Sequence, residues 1–434
     1  MKEHKNTYMQ KERNRDRMIR INDPNTTDFQ SIDIDPFWNM KENICLKMHS
    51  IHAYPAKFPP FLTSRTISYA QDMGVVVDSV SDIFCGCGTV ALEAKRLGIN
   101  FWGCDLSPTA ILIAKTKSQQ YSISILEKNY KDILEYFELT KGNHIANEYS
   151  NERIRYWFHE RQIINLSCLL SSIRRVTPER SKYRLFFECA FSNILKGASN
   201  WLTKSIKPQR DPSKISKGVI DLFSSQCLYM IKAASETIFH APSEVVIERK
   251  NSLTLRRKEV CDLLLCSPPY VTSYEYADLH QLSNLWLGYT DDYRALRNNS
   301  IGSSYNCKSV GIKDLNKSGE HIYSQLRTVD KNKAHAVAKY HSDIQRITTV
   351  SRRLLKTNGI CIMIIGNTSY KGVLIDNAKH LAESMLESGF TDVRVSRRAI
   401  KGKILTPYRN KDGTFSSVPT ERQIYSDEYI IAGR

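Results

Sequence analysis

The chain has 434 residues, of which 41% are hydrophobic and 25% charged, a composition typical of a globular protein with one large core or two smaller ones. Its 62 Lys and Arg against 45 Asp and Glu give a formal charge of +17, which favours a polyanionic partner such as nucleic acid. The apolar runs are far shorter than the ~20 residues of a membrane helix, and the N-terminus lacks the apolar core of a secretion signal. We therefore expect a cytoplasmic protein without membrane contact, with its 11 cysteines as thiols.

The pattern of predicted elements divides the chain into three parts. Residues 1–45 are polar and rich in Lys and Arg, which predicts a mobile basic arm. Residues 46–108 and 241–434 contain strand signals among helices, whereas residues 109–240 have helical periodicity almost throughout. We therefore predict an α/β fold with a doubly wound, mostly parallel sheet and a large helical insertion.

In the first of these α/β segments, a helix is predicted over residues 61–73, after a proline-rich loop. A strand over residues 80–84, a glycine loop, a helix ending near Gly98 and a strand ending at Asp105 follow, and together they form one βαβ unit. Such a unit implies a parallel sheet.

The later α/β segment begins with predicted strands over residues 243–251 and 262–266. After a loop-rich stretch, a long helix is expected to end at Asn358 and Gly359, since both residues tolerate the left-handed conformation. The remaining predicted elements are a strand at 360–365, a helix at 375–388 and strands at 393–396 and 428–432.

The glycine loop is the first stretch that points to chemistry. Gly86 and Gly88 stand where a strand turns into a helix, and Ala91 completes the pattern G-x-G-x-x-A. Such a loop lets a ligand approach the backbone at a helix N-terminus, although the same letters also fit a plain tight turn. Asp105 ends the next strand, where a carboxylate either accepts hydrogen bonds from ribose hydroxyls or lies beside a helix beginning at Ser107 and Pro108.

The second such stretch is LLLCSPPY, residues 263–270, a buried strand that ends on a rigid corner. The two prolines lack N–H groups, so the carbonyls of Ser267 and Pro268 are presented to donors on a ligand. Ser267 Oγ and one carbonyl could accept both hydrogens of a primary amine, and Tyr270 offers a face for stacking a base. If the strands before Gly86 and Ser267 are neighbours at the point where the strand order reverses, both loops face one crevice.

These motifs resemble those of the DNA methyltransferases that use S-adenosylmethionine to methylate exocyclic amines. DIFCGCGT (residues 82–89) is similar to the family's cofactor loop, HAYPAKFPP (52–60) to the segment over the methionine end of the cofactor, and LLLCSPPY to the catalytic loop. The late strand in RRLLKTNGICIMIIGN and the C-terminal tail are also similar. The Ser-Pro-Pro-Tyr form resembles the cytosine-N4 branch.

The resemblance implies a Rossmann-like methyltransferase fold, S-adenosyl-L-methionine as cofactor and double-stranded DNA as partner, with a cognate restriction endonuclease as a further candidate partner. It also implies that residues 109–240 are a candidate target-recognition domain. The catalytic residues would be Ser267, Pro268, Pro269 and Tyr270. The cofactor-binding residues would be Lys57, Phe58, Asp82, Phe84, Cys85, Gly86, Gly88, Thr89, Asp105 and Leu106.

The sequence departs from the family pattern in two respects. Lys250, Asn251 and Ser252 stand where an acidic residue usually holds the cofactor adenine, and the order of motifs is uncommon for the serine form. An adenine-N6 or RNA amine methyltransferase therefore stays open, as do a dinucleotide-dependent oxidoreductase on the same glycine loop and a non-catalytic nucleic-acid-binding protein.

Several other residues have two interpretations. Cys85 and Cys87 suggest a metal site or small loop side chains, and the second is favoured because no second pair follows at zinc-like spacing. Lys57 meets the cofactor carboxylate or extends along the surface. Tyr274, Glu275 and Tyr276 line a base pocket or pack the loop. The aromatic residues of the insertion are interpreted as helix core rather than base-stacking groups: Trp157, Phe158, Phe186, Phe187 and Trp201.

Overall fold

The computed structural model describes residues 17–39, 46–142, 151–271, 275–303, 314–400 and 426–434, together with residues 410, 416 and 418. No helix in these parts of the chain has both the length and the apolar character needed to cross a bilayer. The strands are β1 Ile19–Ile21, β2 Ser79–Asp82, β3 Asn100–Asp105, β4 Val245–Arg249, β5 Cys261–Cys266, β6 Leu355–Ile365, β7 Thr368–Tyr370, β8 Val373–Ile375, β9 Val393–Ala399 and β10 Asp427–Gly433.

The α-helices account for most of the remaining ordered structure. They are α1 Pro60–Asp72, α2 Thr89–Arg96, α3 Pro108–Lys117, α4 Ile123–Thr140, α5 Glu152–Trp157, α6 Glu160–Val176, α7 Lys182–Ala198, α8 Val219–Glu236, α9 Tyr276–Leu279, α10 Gln281–Trp286, α11 Lys317–Val329, α12 Lys331–Leu354 and α13 Asn377–Glu387. The predicted helices and strands therefore exist, with boundaries displaced by one to a few residues.

The main sheet has eight strands in the order β1-β9-β10-β6-β5-β2-β3-β4. Strands β4, β3, β2, β5 and β6 are parallel neighbours, while β10 runs antiparallel to both β6 and β9. The chain moves outward from β2 to β3 and β4 and then returns to β5 on the other side of β2. The predicted doubly wound, mostly parallel sheet is confirmed, and its strand order reverses between β2 and β5.

The central strand β5 is buried on both faces, which places it between two layers of helices. In β5, Leu263 and Leu265 belong to a core cluster with α1 and α2, while Leu264 and Cys266 belong to one with α11, α12 and α13. Successive side chains of a strand point to opposite faces, so a run without polar residues predicts burial on both sides.

The helical segment packs on the sheet layer through α3. Nine of the ten residues of α3 are buried. Ile111 and Ala114 join the cluster around α1 and α2, whereas Leu112 and Ile113 join the core formed by α4 to α8 and α10. A helix that is apolar on all sides is buried on all sides. The division at residue 109 stays a prediction, but α3 packs against β3 and β4 as part of the sheet layer.

The prediction of a mobile arm is wrong for residues 17–39. Strand β1 pairs antiparallel with β9, with Ile19 opposite Val395. Met18, Phe29 and Trp38 are buried in the cores on the two faces of the sheet. Three residues form too short a strand for a periodicity signal, and only the partner strand β9 supplies its hydrogen bonds. The rest of the predicted arm lies outside the described residues.

The predicted helix end at Asn358 is also wrong. Helix α12 ends at Leu354, and β6 begins at Leu355 and continues through Asn358. Cys261 pairs with Leu355 and Leu263 with Ile360, so β6 carries extra residues at this point. Asn358 has a φ of 65°, which suits an irregularity in a strand as well as a helix terminus. Asn358 adopts the left-handed conformation that its residue type tolerates, but it does so within a strand and not at a helix end.

Candidate active site

The glycine loop leaves the sheet at the carboxyl end of β2. Gly86 and Gly88 have φ angles of 49° and 76°, and Gly88 N donates to the Cys85 carbonyl over 2.8 Å. A Cβ at Gly88 would lie 2.6 Å from the Cα and Cβ of Ala114 in α3. Glycine is therefore required here both by backbone conformation and by close packing.

Two carboxylates hold this loop. Asp105 Oδ2 accepts from Gly86 N and Oδ1 accepts from Ser107 N, each over 2.8 Å. Asp82 Oδ1 accepts from Phe84 N over 2.9 Å. Burial raises the pKa of Asp82 to about 8 and also raises the pKa of Asp105, against the effect of its backbone hydrogen bonds. The backbone of Leu106 also interacts with the Asp105 carboxylate, whose two oxygens have about four lone-pair sites, so acceptor capacity remains for a hydroxyl donor.

Tyr54 covers the glycine loop. A Cβ on Gly86 would lie 3.5 Å from both the ring and the hydroxyl of Tyr54. The Tyr54 ring stacks on His280 at 5.0 Å and on Tyr276 at 6.0 Å between centroids. The segment 52–60 therefore joins the loop after β2 to the segment that follows the Ser-Pro-Pro-Tyr corner. Sequence reasoning missed Tyr54, although it lies inside the segment that the resemblance singled out.

The Ser-Pro-Pro-Tyr corner follows β5 directly. Val80 pairs with Leu263 and Ser81 with Leu264, so the loops after β2 and β5 leave the sheet side by side, as predicted. Ser267 Oγ donates to the Ile364 carbonyl over 2.9 Å. Since the only hydroxyl proton is used in this bond, the oxygen can act only as an acceptor toward a ligand.

Tyr270 is held by a buried charge network. Its hydroxyl donates to Glu428 Oε1 over 3.0 Å, and Glu428 Oε2 pairs with Arg398 over 2.6 Å. Its ring lies against Gly366, where a Cβ would come within 3.1 Å of a ring carbon. Burial raises the pKa of Tyr270, so the phenol is neutral at physiological pH. Glu428 and Arg398 were missed, although charged residues within the adjacent strands β9 and β10 are a signal of a buried pair.

The other predicted cofactor residues occupy several environments. Lys57 Nζ donates to the His49 carbonyl over 3.2 Å, and Phe58 packs on the core around α1. Leu106 offers its carbonyl to Arg249 Nε over 3.2 Å. Cys85 and Thr89 are buried and Phe84 is partly buried. Within the described residues, no group of three or more His, Cys, Asp or Glu could hold a metal ion.

The residues after β4 serve the loop structurally. Ser252 is buried, and its hydroxyl donates to the Ile83 carbonyl over 2.5 Å. Asn251 Oδ1 accepts from Leu253 N and caps a short helical turn. Whether this segment contacts the cofactor adenine stays untested. The hydrogen bond from Ser252 to Ile83 was not predicted from the sequence.

Of the three residues after the corner that were considered for a base pocket, Tyr274 lies outside the described residues. Glu275 accepts from Ser303 Oγ over 3.0 Å, and Tyr276 takes part in the stack with Tyr54. The aromatic residues Trp157, Phe158, Phe186, Phe187 and Trp201 are buried in the helical core, as predicted.

The arrangement can bind an adenosine-containing cofactor and present an amine to it. The glycine loop at a helix N-terminus and the carboxylate of Asp105 fit a ribose and the groups attached to it. The neighbouring corner contributes acceptors without competing N–H donors. Both loops follow the carboxyl ends of central strands, which is where parallel α/β sheets bind their ligands.

Comparisons with known proteins agree with this geometry. The model of the DNA methylase family matches residues 1–116. The Type II methyltransferase M.MvaI of Kocuria varians is 24% identical over 360 residues, 75% of this chain and 78% of the relative. M.BsoBI of Geobacillus stearothermophilus is 24% identical over 61% of this chain and 58% of its own length. M.MjaII of Methanocaldococcus jannaschii is 38% identical over 87 residues, 16% of its length.

Solved structures overlap with the chain only loosely. An rRNA methyltransferase, aviRa from Streptomyces viridochromogenes, has a TM-score of 0.28 at 7% identity and covers 90% of each chain. The fold is established by the strand order of the sheet. The family match and the Type II relatives are the findings that decide between a methyltransferase and an oxidoreductase. The match over residues 1–116 and the Type II relatives support the DNA amino-methyltransferase family, with S-adenosyl-L-methionine as the cofactor.

Proposed function

We propose that this protein methylates the exocyclic N4 amine of a cytosine flipped out of duplex DNA, as the modification enzyme of a restriction-modification system. The observation that carries the proposal is the Ser267 hydroxyl bonded to the Ile364 carbonyl, on a corner next to the glycine loop. The names of the Type II relatives support a modification role, with a cognate restriction endonuclease as the proposed partner.

The proposed mechanism assigns separate tasks to the residues of the corner. Ser267 Oγ and the Pro268 carbonyl accept the two amine hydrogens and so direct the nitrogen lone pair away from them. Tyr270 provides the stacking face that offsets the few kcal/mol needed to extrude a base. Asp82, Asp105 and the glycine loop hold the cofactor, with Lys57, Phe58 and Leu106 as further proposed contacts. When bound, the cofactor would supply a methyl group from its sulfonium, the sulfur would leave as a neutral thioether, and the methylated amine would release one proton to solvent.

Orientation is the main contribution that we assign to the protein. Two reactants held in line gain on the order of 7–11 kcal/mol in favourable intramolecular reactions. No side chain is needed as a nucleophile in direct transfer to an amine, which agrees with a corner made of acceptors and prolines. The buried network of Tyr270, Glu428 and Arg398 supports the ring that would hold the base.

We also propose that residues 109–240 contribute to DNA recognition. The bridge between α7 and α8 carries exposed Lys204, Lys207, Arg210 and Lys217. Exposed basic side chains beside the catalytic half are suited to contact the phosphates of DNA.

Analysis of the methylated product tests the proposed function. Plasmid DNA is incubated with the protein and methyl-labelled S-adenosylmethionine, digested to nucleosides and separated, and the modified sites are mapped. We expect label in N4-methylcytosine and none with the Asp105→Ala variant. Label in N6-methyladenine would replace the cytosine assignment by the adenine alternative. Label in RNA alone, or in neither nucleic acid, would overturn the proposal.

A further inference from the structure

An exposed tyrosine lies between two arginines beside the segment that follows the catalytic corner. The Tyr156 ring is 43% exposed, and the guanidinium carbons of Arg153 and Arg210 each lie 4.8 Å from its centroid. Arg153 and Tyr156 belong to α5, whereas Arg210 comes from the basic bridge between α7 and α8. Cation-π contacts thus hold two positive groups from distant parts of the chain around one ring.

Neither arginine has an acidic partner in the part of the chain that the structure describes. Among the described residues, no carboxylate lies within salt-bridge distance of Arg153 or Arg210, although many other arginines of the protein have such partners. The Arg153 Nε donates to Gln281 Oε1 over 2.7 Å, a bond that uses one of its five N–H groups. Two fixed, unneutralised guanidinium groups on the surface form a site for an anion with several oxygens.

The position of this group ties it to the catalytic half. Gln281 Oε1 also accepts from Trp157 Nε1 over 2.9 Å, and Gln281 is the buried first residue of α10, which follows the corner and α9 in the chain. Arg153 also lies 5.4 Å from the ring of Tyr293, in the turn beyond α10. Arg153 is therefore anchored to the segment that leads away from Tyr270, whereas Arg210 is held beside it through the ring of Tyr156.

We infer that Arg153, Tyr156 and Arg210 form a clamp for the phosphate backbone of DNA beside the flipped base. This inference rests on the proposed function, since it assumes that a DNA base enters at Ser267. Arginine guanidinium groups bind phosphate oxygens in a bidentate manner, and such contacts orient the duplex without reading its sequence. Arg153 is set by Gln281, and Arg210 completes the clamp from the bridge.

The salt dependence of DNA binding tests the clamp. Binding of a short fluorescently labelled duplex is measured by anisotropy between about 50 and 200 mM salt. Each phosphate contact contributes about 0.9 to the slope of log K against log salt concentration. We expect Arg210→Gln to reduce the steepness of the slope by about 0.9 and to raise Kd about tenfold. Arg210→Lys should restore most of the slope but only part of the affinity.

A matched control is available at the other end of the helical segment. Arg180 is exposed in the turn after α6 and lies 4.0 Å from the equally exposed Glu179, a pair that solvent screens. Helix α6 begins close after α5 and has 17 residues, so it is about 25 Å long and separates Arg180 from the clamp. Arg180→Gln removes the same charge and should leave both Kd and slope unchanged. In methylation assays, Arg210→Gln should raise KM for DNA and leave kcat near the wild-type value, since the clamp does not touch the reacting amine.

The outcomes separate the clamp from the proposed function. A wild-type protein that methylates DNA, together with an Arg210→Gln variant of unchanged slope and Kd, would overturn the clamp and leave the function standing. An equal loss in Arg180→Gln would also overturn it, because the effect would then follow net charge alone. A wild-type protein that neither binds nor methylates DNA would remove both proposals.

Discussion

At the scale of single residues, Tyr270 combines a ring and a hydroxyl with separate tasks. Tyr270→Phe removes the bond to Glu428 but keeps the ring, whereas Tyr270→Ala removes both. Stacking of a base on an aromatic ring contributes about 1–3 kcal/mol, so we expect Tyr270→Ala to lower kcat/KM for DNA by roughly 10- to 100-fold. Tyr270→Phe should lose only a few-fold. Equal losses in steady-state kinetics would assign the role to the hydroxyl instead.

Within segment 52–60, Tyr54 contacts the glycine loop. Substitution of Lys57 in the same segment provides the comparison. We expect Tyr54→Ala to weaken cofactor binding about tenfold, because the loop loses the ring that covers Gly86 and an aromatic contact of about 1 kcal/mol. Lys57→Ala should have a smaller effect, since its amine bonds to the His49 carbonyl. Isothermal calorimetry with S-adenosylmethionine measures both. A larger loss in Lys57→Ala would move the main contact to that residue.

At the scale of elements, the packing of the glycine loop on α3 decides which glycine is indispensable. Gly88→Ala places a methyl group 2.6 Å from Ala114 at a φ of 76°, whereas the nearest neighbour at Gly86 is Tyr54 at 3.5 Å. We expect Gly88→Ala to lower the free energy of unfolding by about 3 kcal/mol or more, and Gly86→Ala by about 1–2 kcal/mol from backbone strain alone. Urea denaturation measures the two, and equal losses would show that α3 moves aside.

Element boundaries could be predicted where the local pattern was strong. The apolar run ending in Cys266 predicted a strand buried on both faces, and the structure places its residues alternately in two cores. Strand β1 and the irregularity at Asn358 escaped prediction because both depend on a partner strand. Local propensity describes a residue and its near neighbours in the chain, not the strand that lies beside it.

At the scale of the whole molecule, five buried histidines make the fold sensitive to acid. Burial lowers the pKa of His52 and His341 to about 4, lowers that of His280 to about 3 and also lowers those of His49 and His380. The unfolded chain, with ordinary pKa values near 6.5, binds more protons between these limits. Stability from these groups is therefore complete above pH 6.5 and is lost as the pH falls toward 4.

Each histidine can contribute up to about 1.4 kcal/mol per pH unit in this range, and Asp82, whose pKa is raised to about 8, has the opposite sign. We expect urea midpoints to fall clearly from pH 7 to pH 5. His341→Gln should flatten the dependence, and substitution of exposed His335 on the same helix provides the control. A midpoint that is constant over this range would contradict the assignment.

The sequence by itself determined the parts of this protein that depend on local conformation and periodicity. These are the parallel α/β core, the glycine loop, Asp105 at the end of β3 and the rigid corner after β5, and their motifs were sufficient to suggest the family. Only the tertiary structure decided which distant side chains meet: Tyr54 with Gly86, Ser267 with Ile364, Tyr270 with Glu428, and Arg153 with Tyr156 and Arg210. Contacts between residues far apart in the chain depend on strand order and on how helices pack across the sheet, and no local pattern records either of them.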